Sequence, residues 1–502
     1  MFRKIALTLC SAAIFGLALP EGVQAQDKSL EERLKQLESL YTELLIRDAE
    51  KEKVIEGLRQ ELDNLQKGKR TPPGATKHAD HDHAGETAEE HAAHGHGPAG
   101  HGGGEHGGGV DLFAVDVGTG TARLSGVFVD TSFAAGGASE TGETLEQLQF
   151  GDHDPDTNGF TLRTVDLSVG GGFDPYFDAF SNVAFFIDNE GETVVELEEA
   201  YLQTQTEPGV IPEIRAGQFF TEFGLANPVH IHDHTWLDQP FVLSRFLGPD
   251  GMRGQGARLE WRTSDVDPVT ILGGVQNSFG ETQASFRSSD ELFEELPIGG
   301  IEFVERDVDG ADDLTYHARA SKQFSWSSNA VSFGASGLFG PNASGPDGDT
   351  IIAGFDTAFR HELADGSHLL FQGEFLYRDY EVDDTNPSGA EDFDDYGLYA
   401  QVAYGMTNDV TLGLRGEYGS GDGESVGDFA GRAGDPFRSD RFRISPLASW
   451  AFTPFSTVTL QYNYDDADFL ADDTAHAIWL GLNLSIGGGR RVELNPSLAH
   501  TH

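Results

Sequence analysis

Cysteine, methionine and basic residues are scarce in this chain, and the scarcity of basic residues argues against a nucleic-acid-binding protein. The 502 residues include 1 Cys and 3 Met, and 33 Lys and Arg stand against 83 Asp and Glu, for a formal net charge of -50. A phosphate backbone repels such a chain unless basic residues cluster, and no basic cluster is visible, so we expect no nucleic-acid partner. No run of about 18 apolar residues follows the N-terminus, which argues against a transmembrane helix in the mature chain.

Glycine and aromatic residues, by contrast, are abundant. The chain has 63 Gly, 35 Phe and 12 Tyr, a profile that favours strands and turns over helices. The length exceeds that of one ordinary core, so we expect several domains or one large closed architecture. A membrane barrel agrees with the missing apolar runs, because its signal is alternation along short strands.

The N-terminus has the features of an export signal. Two basic residues precede an apolar region at residues 5–19, and a small-x-small cleavage site ends at Ala25. We therefore predict a signal peptide over residues 1–25. Cys10 lies inside it, so the mature chain has no cysteine and no disulfide. Chain closure or assembly must then supply the stability.

Residues 26–70 are predicted to form a periplasmic coiled coil. Apolar residues recur at alternating steps of four and three, first at Leu30, Leu34, Leu37, Tyr41 and Leu44, then at Ile55, Leu58, Leu62 and Leu65. A helix with so little to bury is expected to pair with copies of itself. The alternative is a solvated helix with no partner.

Residues 71–120 are predicted to be a disordered linker rich in His and Gly. Glycine this dense cannot bury a core. The segment carries His78, His81, His83, His91, His94, His96, His101 and His106. Near-neutral imidazoles bind borderline metals, so loose capture of zinc, copper or nickel is one interpretation. The other is a polar tether with a biased composition.

Residues 121–490 read as one barrel. Along residues 410–418, Val, Leu and Tyr alternate with Thr, Arg and Glu, and similar alternation recurs in segments of about ten residues. Apolar faces often end in an aromatic residue, as a membrane girdle does, while the opposite faces carry charge. The predicted fold is all-β, a transmembrane antiparallel β-barrel of about 16 strands, followed by a C-terminal tail at residues 491–502.

The connections between these segments alternate in length. Short turns are predicted near residues 174–175, 264–267, 327–328, 364–366, 407–408 and 453–455. Long links are predicted at 136–158, 221–253, 280–312, 342–348, 382–394 and 420–438. A barrel that inserts into the membrane from one side has short turns at one end and long loops at the other. This arrangement places both chain ends in the periplasm.

Three stretches make the sequence resemble a known family. They are LEEAYL at residues 197–202, IRAGQF at residues 214–219 and the Phe223-Gly224 pair, and they are similar to the phosphate-selective porin-like superfamily. The resemblance implies a trimeric channel whose third external loop folds inward to narrow the pore.

A second set of residues resembles a subgroup described as zinc-regulated outer-membrane porins or receptors. It consists of HIHDHTW at residues 230–236, QP at 239–240 and RFLG at 245–248. The motif-specific resemblance covers residues 196–261, and elsewhere it is architectural. The chain departs from the phosphate-selective type because it lacks a dense basic run and its loops are acidic. Rings of carboxylates favour cations, so we expect cation passage.

His230, His232 and His234 form the sharpest candidate metal site. In an extended segment alternate side chains point to one side, so the three imidazoles could face one ion, with Asp233 as a further ligand. The alternative is a structural loop whose histidines hydrogen-bond to carboxylates of the barrel wall. Calcium in the external loops is a further candidate, because Asp154, Asp156, Asn158 and Gly159 match the first half of a calcium loop.

These features predict an outer-membrane porin of a Gram-negative bacterium. It would form a water-filled channel for passive diffusion of small solutes or ions that favours cations, with zinc or other divalent metals as candidate solutes. Expected partners are outer-membrane lipid, lipopolysaccharide, two further copies in a homotrimer and peptidoglycan at the coiled coil. No enzyme motif appears and no cofactor is required; weakly bound zinc and calcium in the external loops are the candidates. The alternative is a metal-binding structural protein that tethers the outer membrane to the cell wall.

Overall fold

The structure is a computed structural model that describes residues 112–188, 191–206, 209–305, 308–429 and 431–489. The predicted signal peptide, coiled coil, linker histidines and C-terminal tail lie outside the described residues. None of the described helices is both long enough and apolar enough to cross a membrane.

Strands account for most of the described chain. They are β1 (Phe113–Val117), β2 (Gly120–Ala138), β3 (Gly159–Asp174), β4 (Phe177–Ile187), β5 (Thr193–Thr204), β6 (Glu213–Phe220), β7 (Arg253–Arg262), β8 (Val269–Asn277), β9 (Leu314–Trp326), β10 (Asn329–Pro341), β11 (Asp349–Glu362), β12 (His368–Tyr380), β13 (Phe393–Gly405), β14 (Val410–Asp422), β15 (Arg441–Thr453), β16 (Ser456–Ala467) and β17 (Thr474–Gly489). The α-helices are α1 (Glu143–Leu148), α2 (Phe241–Leu247) and α3 (Asp290–Glu295). Short 3-10 turns lie at Ile231–Asp233, Ile298–Gly300, Ala311–Asp313, Gly427–Phe429 and Arg432–Gly434.

The strands from β2 to β17 form a closed antiparallel ring. Each pairs with the next along the chain, and β17 pairs with β2 from Ala477↔Ala138 to Gly489↔Gly126. Closure leaves no unpaired edge among strands β2 to β17, which provides the stability that a chain without disulfides requires. The prediction of about 16 strands is confirmed.

The end of the predicted linker differs from the sequence-based expectation. Residues 113–117 form β1, which pairs with the first part of β2 from Phe113↔Leu124 to Val117↔Gly120. The predicted disorder of residues 71–120 is therefore wrong at its C-terminal end. The local reason is an alternation of Phe113, Val115 and Val117 with smaller or polar residues, followed by Gly118 at φ 64, which makes the turn.

The two faces of each strand differ in chemistry. On β14, Leu412 and Leu414 point outward and are 45% and 43% exposed, whereas Arg415 and Glu417 point inward and are buried. This is the alternation expected of a barrel with an apolar outside and a charged inside.

Exposed aromatic residues form two bands on the outside. One band lies where strands meet the short turns, at Tyr176, Trp261, Trp326, Trp450 and Phe455. The other lies where strands meet the long links, at Phe160, Tyr316, Phe339, Tyr396 and Phe442. Leucine side chains such as Leu414, Leu460 and Leu480 are exposed between them. An apolar belt between two aromatic girdles fits a bilayer.

The connections also alternate in length. Longer links, at residues 139–158, 221–252, 278–313, 342–348, 381–392 and 423–440, leave one end of the barrel, hereafter the loop end. Short turns close the other end, hereafter the turn end, where β2 begins and β17 stops. The predicted alternation of short turns and long links is confirmed for these connections. The sequence did not predict the further connections at 188–192, 205–212 and 468–473. Residues 221–252 are the third link at the loop end, as predicted.

Candidate functional site

The third long link folds into the barrel. Residues 221–252, hereafter the constriction segment, include α2, in which every residue is buried. Phe223, Val242 and Phe246 share one apolar cluster with inward-facing wall residues, among them Leu338, Ile352, Leu376 and Tyr399. The expectation of an inward-folded third loop is therefore met in the structure.

Glycines of the wall create the space that this segment occupies. A Cβ atom at Gly397 would lie 2.6 Å from Val242, and one at Gly354 would lie 2.6 Å from Phe223. Further pairs of the same kind are Trp236 on Gly413, Phe241 on Gly419 and Leu237 on Gly481. Apolar side chains of the constriction segment thus pack against glycines on strands β11, β13, β14 and β17. This close packing fixes the position of the segment.

Asp238 provides the main polar attachment. Its carboxylate accepts hydrogen bonds from Arg415 at 2.6 Å, Arg443 at 2.9 Å, Gln461 at 2.6 Å and Asn463 at 2.7 Å. Burial alone would raise the pKa of Asp238, but Arg415 and Arg443 outweigh it and hold the pKa below its usual range. The segment is therefore bound to β14, β15 and β16 by a buried ionic network.

The three candidate histidines lie on a turn of the backbone. Residues 231–233 form a 3-10 turn, closed by Asp233 N–H donating to His230 O at 2.9 Å. The predicted extended conformation is wrong at residues 231–233, because local hydrogen bonds turn the backbone there. His234 instead hydrogen-bonds the Val229 carbonyl at 3.2 Å.

His230 and His232 contact carboxylates of the barrel wall. His230 lies 2.8 Å from Glu198 through Nδ1 and 3.0 Å from Glu199 through Nε2. His232 Nδ1 lies 2.9 Å from Asp166 Oδ2. These are the contacts of the structural-loop alternative. Metal binding by His230, His232, His234 and Asp233 stays a prediction.

The environments of these histidines shift their pKa values in opposite directions. Burial would lower the pKa of His230, but Glu198 and Glu199 raise it well above the usual value. The pKa of His232 is likewise raised, because its bond to Asp166 outweighs burial. Burial, with Arg415 and Arg163 nearby, lowers the pKa of His234 to about 4. His230 is thus held as a cation and His234 as a neutral ring at pH 7.

Acidic and histidine side chains form a continuous row along one side of the lumen. Its members, in order, are Asp152, Glu196, Asp250, His153, Glu198, His230, Glu199, His232, Asp166 and Asp130, hereafter the His-carboxylate row. The row starts at the exposed Asp152 at the loop end and reaches Asp130 in the middle of β2. It offers nitrogen and oxygen donors at each step.

Arginines line other parts of the inner wall. The sequence has no dense basic run, yet the barrel brings together arginines from separate strands. Arg319 is half-buried, and the buried ones are Arg215, Arg258, Arg378, Arg415, Arg441 and Arg443. Each lies within 4.0 Å of a carboxylate, for example Arg258 to Glu213 at 2.8 Å and Arg441 to Asp465 at 2.8 Å. Residues on adjacent strands are neighbours in space although they are distant in the chain. A search for runs of basic residues along the sequence therefore misses this set.

The calcium candidate residues make local contacts. Asp154 accepts hydrogen bonds from Gly151 N–H at 3.1 Å and from Gln239 N–H at 2.8 Å. Asn158 accepts one from Ala138 N–H at 2.6 Å. The bond from Gln239 joins the first long link to the constriction segment, and calcium binding stays a prediction.

Sequence reasoning missed three buried residues of the lumen. His153, Glu198 and Asp250 lie together although they are far apart in the chain. Burial would lower the pKa of His153, but Asp250 raises it to about 10. The only local signal was the Asp-His-Asp sequence around His153, which is too short to identify a site.

Comparisons with known proteins give a distant relative and weak structural similarities. No family model matches the chain. An uncharacterized protein of Aquifex aeolicus (strain VF5) is 28% identical over 261 residues, which cover 49% of this chain and 51% of that protein. The chain therefore matches about half the length of this relative.

Solved structures of outer-membrane proteins are similar to the chain at low identity and low TM-score. The outer membrane channel DcaP of Acinetobacter baumannii has a TM-score of 0.45 and 12% identity, covering 73% of this chain and 97% of that one. The trimer form of OmpT of Vibrio cholerae has a TM-score of 0.44 and 11% identity, covering 72% and 100%. An anion-selective porin from Comamonas acidovorans has a TM-score of 0.43 and 10% identity, covering 73% and 100%.

Proposed function

We propose that this protein is an outer-membrane porin, a channel for passive diffusion of small solutes and ions that favours cations. The observation that carries the proposal is the closed ring of 16 strands with an apolar outer belt, a charged inner wall and a loop folded into its lumen. Barrels of this strand number are wide enough for an aqueous path, and an inward loop narrows it.

The charge distribution supports the cation preference. Exposed carboxylates such as Glu143, Asp290, Glu381, Asp384 and Glu391 lie on the long links at the loop end. Wall arginines are paired with carboxylates, so they present little free positive charge to a passing ion. Carboxylates around a pore mouth raise the local cation concentration.

The His-carboxylate row supports divalent metal ions such as Zn²⁺ among the permeant solutes. Carboxylates attract divalent cations, and the carboxylates of the row other than Glu198 and Asp250 provide successive weak sites. We also propose a homotrimer in outer-membrane lipid and lipopolysaccharide, and contact of the N-terminal coiled coil with peptidoglycan.

Planar lipid bilayers provide the test. The purified protein is expected to form discrete conductance steps, and a KCl gradient is expected to give a reversal potential of cation sign. Neutralising Glu381, Asp384 and Glu391 to the amides should reduce that preference, and lowering the salt should increase it, because the Debye length grows from about 10 Å at 0.1 M to about 30 Å at 0.01 M.

Two results would contradict this function. An anion preference would refute the charge argument. A folded barrel without conductance would favour the structural alternative, in which the protein binds metal and tethers the outer membrane to the cell wall.

A further inference from the structure

We propose that His153, Glu198 and Asp250 bind one resident divalent cation of the class of Zn²⁺. The three residues come from the first long link, from β5 and from the constriction segment. Their ligand atoms lie within 4.8 Å of one another. His153 Nε2 is 3.3 Å from Asp250 Oδ1 and 3.9 Å from Glu198 Oε1.

The second heteroatom of each ligand is already engaged. His153 Nδ1 lies 2.9 Å from the Arg163 carbonyl, and because a carbonyl only accepts, Nδ1 donates and Nε2 faces the carboxylates. Glu198 Oε2 is 2.8 Å from His230, and Asp250 Oδ2 pairs with Arg253. Metal ligands in proteins are oriented in this way by a surrounding layer of hydrogen bonds.

His153 Nε2 is a buried nitrogen aimed into the cluster. His153, Glu198 and Asp250 are 4%, 2% and 9% exposed. Its nearest acceptor among the described residues is Asp250 Oδ1 at 3.3 Å, an ion-pair distance without the alignment of a hydrogen bond. A cation between this nitrogen and the two carboxylates would satisfy all three ligand atoms.

A small cavity adjoins the three ligands. Its volume is about 10 Å³, enough for one water molecule, and its lining includes all three ligands together with Asn227 and Gln239. Three protein ligands and one water complete the four-coordinate shell that zinc prefers. One imidazole and two carboxylates suit zinc better than calcium, which takes six to eight oxygens.

Burial by three separate elements indicates a resident ion. A permeant ion must leave its sites readily, whereas an ion held between two loops and the wall exchanges slowly. The ion would clip the first long link and the constriction segment to β5. The inference does not rest on the channel function, because a silent barrel could hold the same ion.

Zinc content of the full-length protein provides the test. Wild-type protein and the His153→Asn variant are stripped with a chelator, dialysed against a buffer that holds free Zn²⁺ at nanomolar concentration, and analysed by mass spectrometry of the metal. Asparagine can still donate to the Arg163 carbonyl but lacks the Nε2 ligand. We expect the variant to retain one zinc fewer per chain, since any N-terminal histidine contribution is common to both proteins.

A matched control is His317→Asn, which changes a buried wall histidine outside the cluster. It is expected to keep the wild-type zinc content. Heat-modifiable migration on gels reports barrel folding, and if His153→Asn fails to fold, Glu198→Gln replaces it.

Equal zinc in wild type and in the folded cluster variant would overturn the proposal and leave an ion pair of His153 with Asp250. Conductance recorded on the same samples keeps this outcome separate from a failure of the channel function.

Discussion

His232 stacks on His230, with ring centroids 5.5 Å apart and 17° between the ring planes. Two imidazoles in this arrangement repel each other when both are charged, and the pKa of each is nevertheless raised. The carboxylates Glu198, Glu199 and Asp166 on the wall therefore outweigh the repulsion. Ion pairs of His230 and His232 therefore attach this part of the constriction segment to the barrel wall.

This attachment predicts a pH dependence of stability. The pKa of His230 is higher in the folded protein than the unfolded value of about 6.5, so its stabilisation is complete below pH 6.5 and is lost as the pH rises through the folded pKa. The urea midpoint of the refolded barrel should fall as the pH is raised above about 6.5. His230→Gln should flatten this slope, whereas His476→Gln, at an exposed position, should preserve it. An unchanged slope in His230→Gln would contradict the assignment.

His234 should act in the opposite direction. Burial holds its pKa at about 4, so the unfolded chain takes up a proton between about pH 6.5 and pH 4 that the folded protein does not. The free energy of unfolding should therefore decline as the pH falls through this window, and His234→Asn should reduce that decline. Urea titrations at pH 4.5 and pH 6.5 measure both proteins. A decline of equal size in the variant would assign the effect to other groups.

Asp238 is expected to control the position of the constriction segment. Asp238→Ala leaves Arg415 and Arg443 buried with less negative charge around them, and removing one partner of a buried pair costs about 3–5 kcal/mol. The segment should detach from β14 and β15, and single-channel conductance should rise or fluctuate. Adding Arg415→Gln should restore part of the wild-type behaviour. Identical conductance traces in Asp238→Ala and wild type would show that the network does not hold the segment.

The sequence predicted the barrel because its signal is local. Alternation along each strand and the parity of turns depend on residues close together in the chain, and the structure confirms them at β14 and at residues 221–252. The fold of the third loop followed from a resemblance of local motifs.

The lumen chemistry was not predictable in the same way. His153, Glu198 and Asp250 meet only after the first and third links fold against β5, and no local pattern records that meeting. The turn at residues 231–233 was missed for a different reason. Its His-x-His-x-His spacing fits a strand, and backbone hydrogen bonds of the turn overrode it.

Gly481 tests whether close packing against wall glycines positions the constriction segment. A Cβ at this position would overlap Leu237 of the constriction segment, so Gly481→Val should push the segment away from β17 and change the single-channel conductance. The matched control is Gly416→Val on β14, where a Cβ would meet nothing within 4 Å. Conductance recordings of the two variants should therefore differ from each other. Equal conductance of the two variants would indicate that the position of Leu237 does not depend on Gly481.

Leu414 tests the orientation of the barrel in the membrane. It is 43% exposed on the outer face near the middle of β14, so Leu414→Arg should place a charge in the apolar belt and cost about 2–4 kcal/mol of folding free energy in lipid vesicles. Gln401→Arg introduces the same side chain on β13, where Gln401 pairs with Arg415 in register and hydrogen-bonds to Gln372 of the inner wall. This control should fold more readily and shift the reversal potential towards anions, because its charge faces the lumen. Urea titration of vesicle-folded protein measures the first effect, and bilayer recording the second. If Leu414→Arg folded as stably as wild type while Gln401→Arg did not, the two faces of the barrel would be assigned the wrong way round.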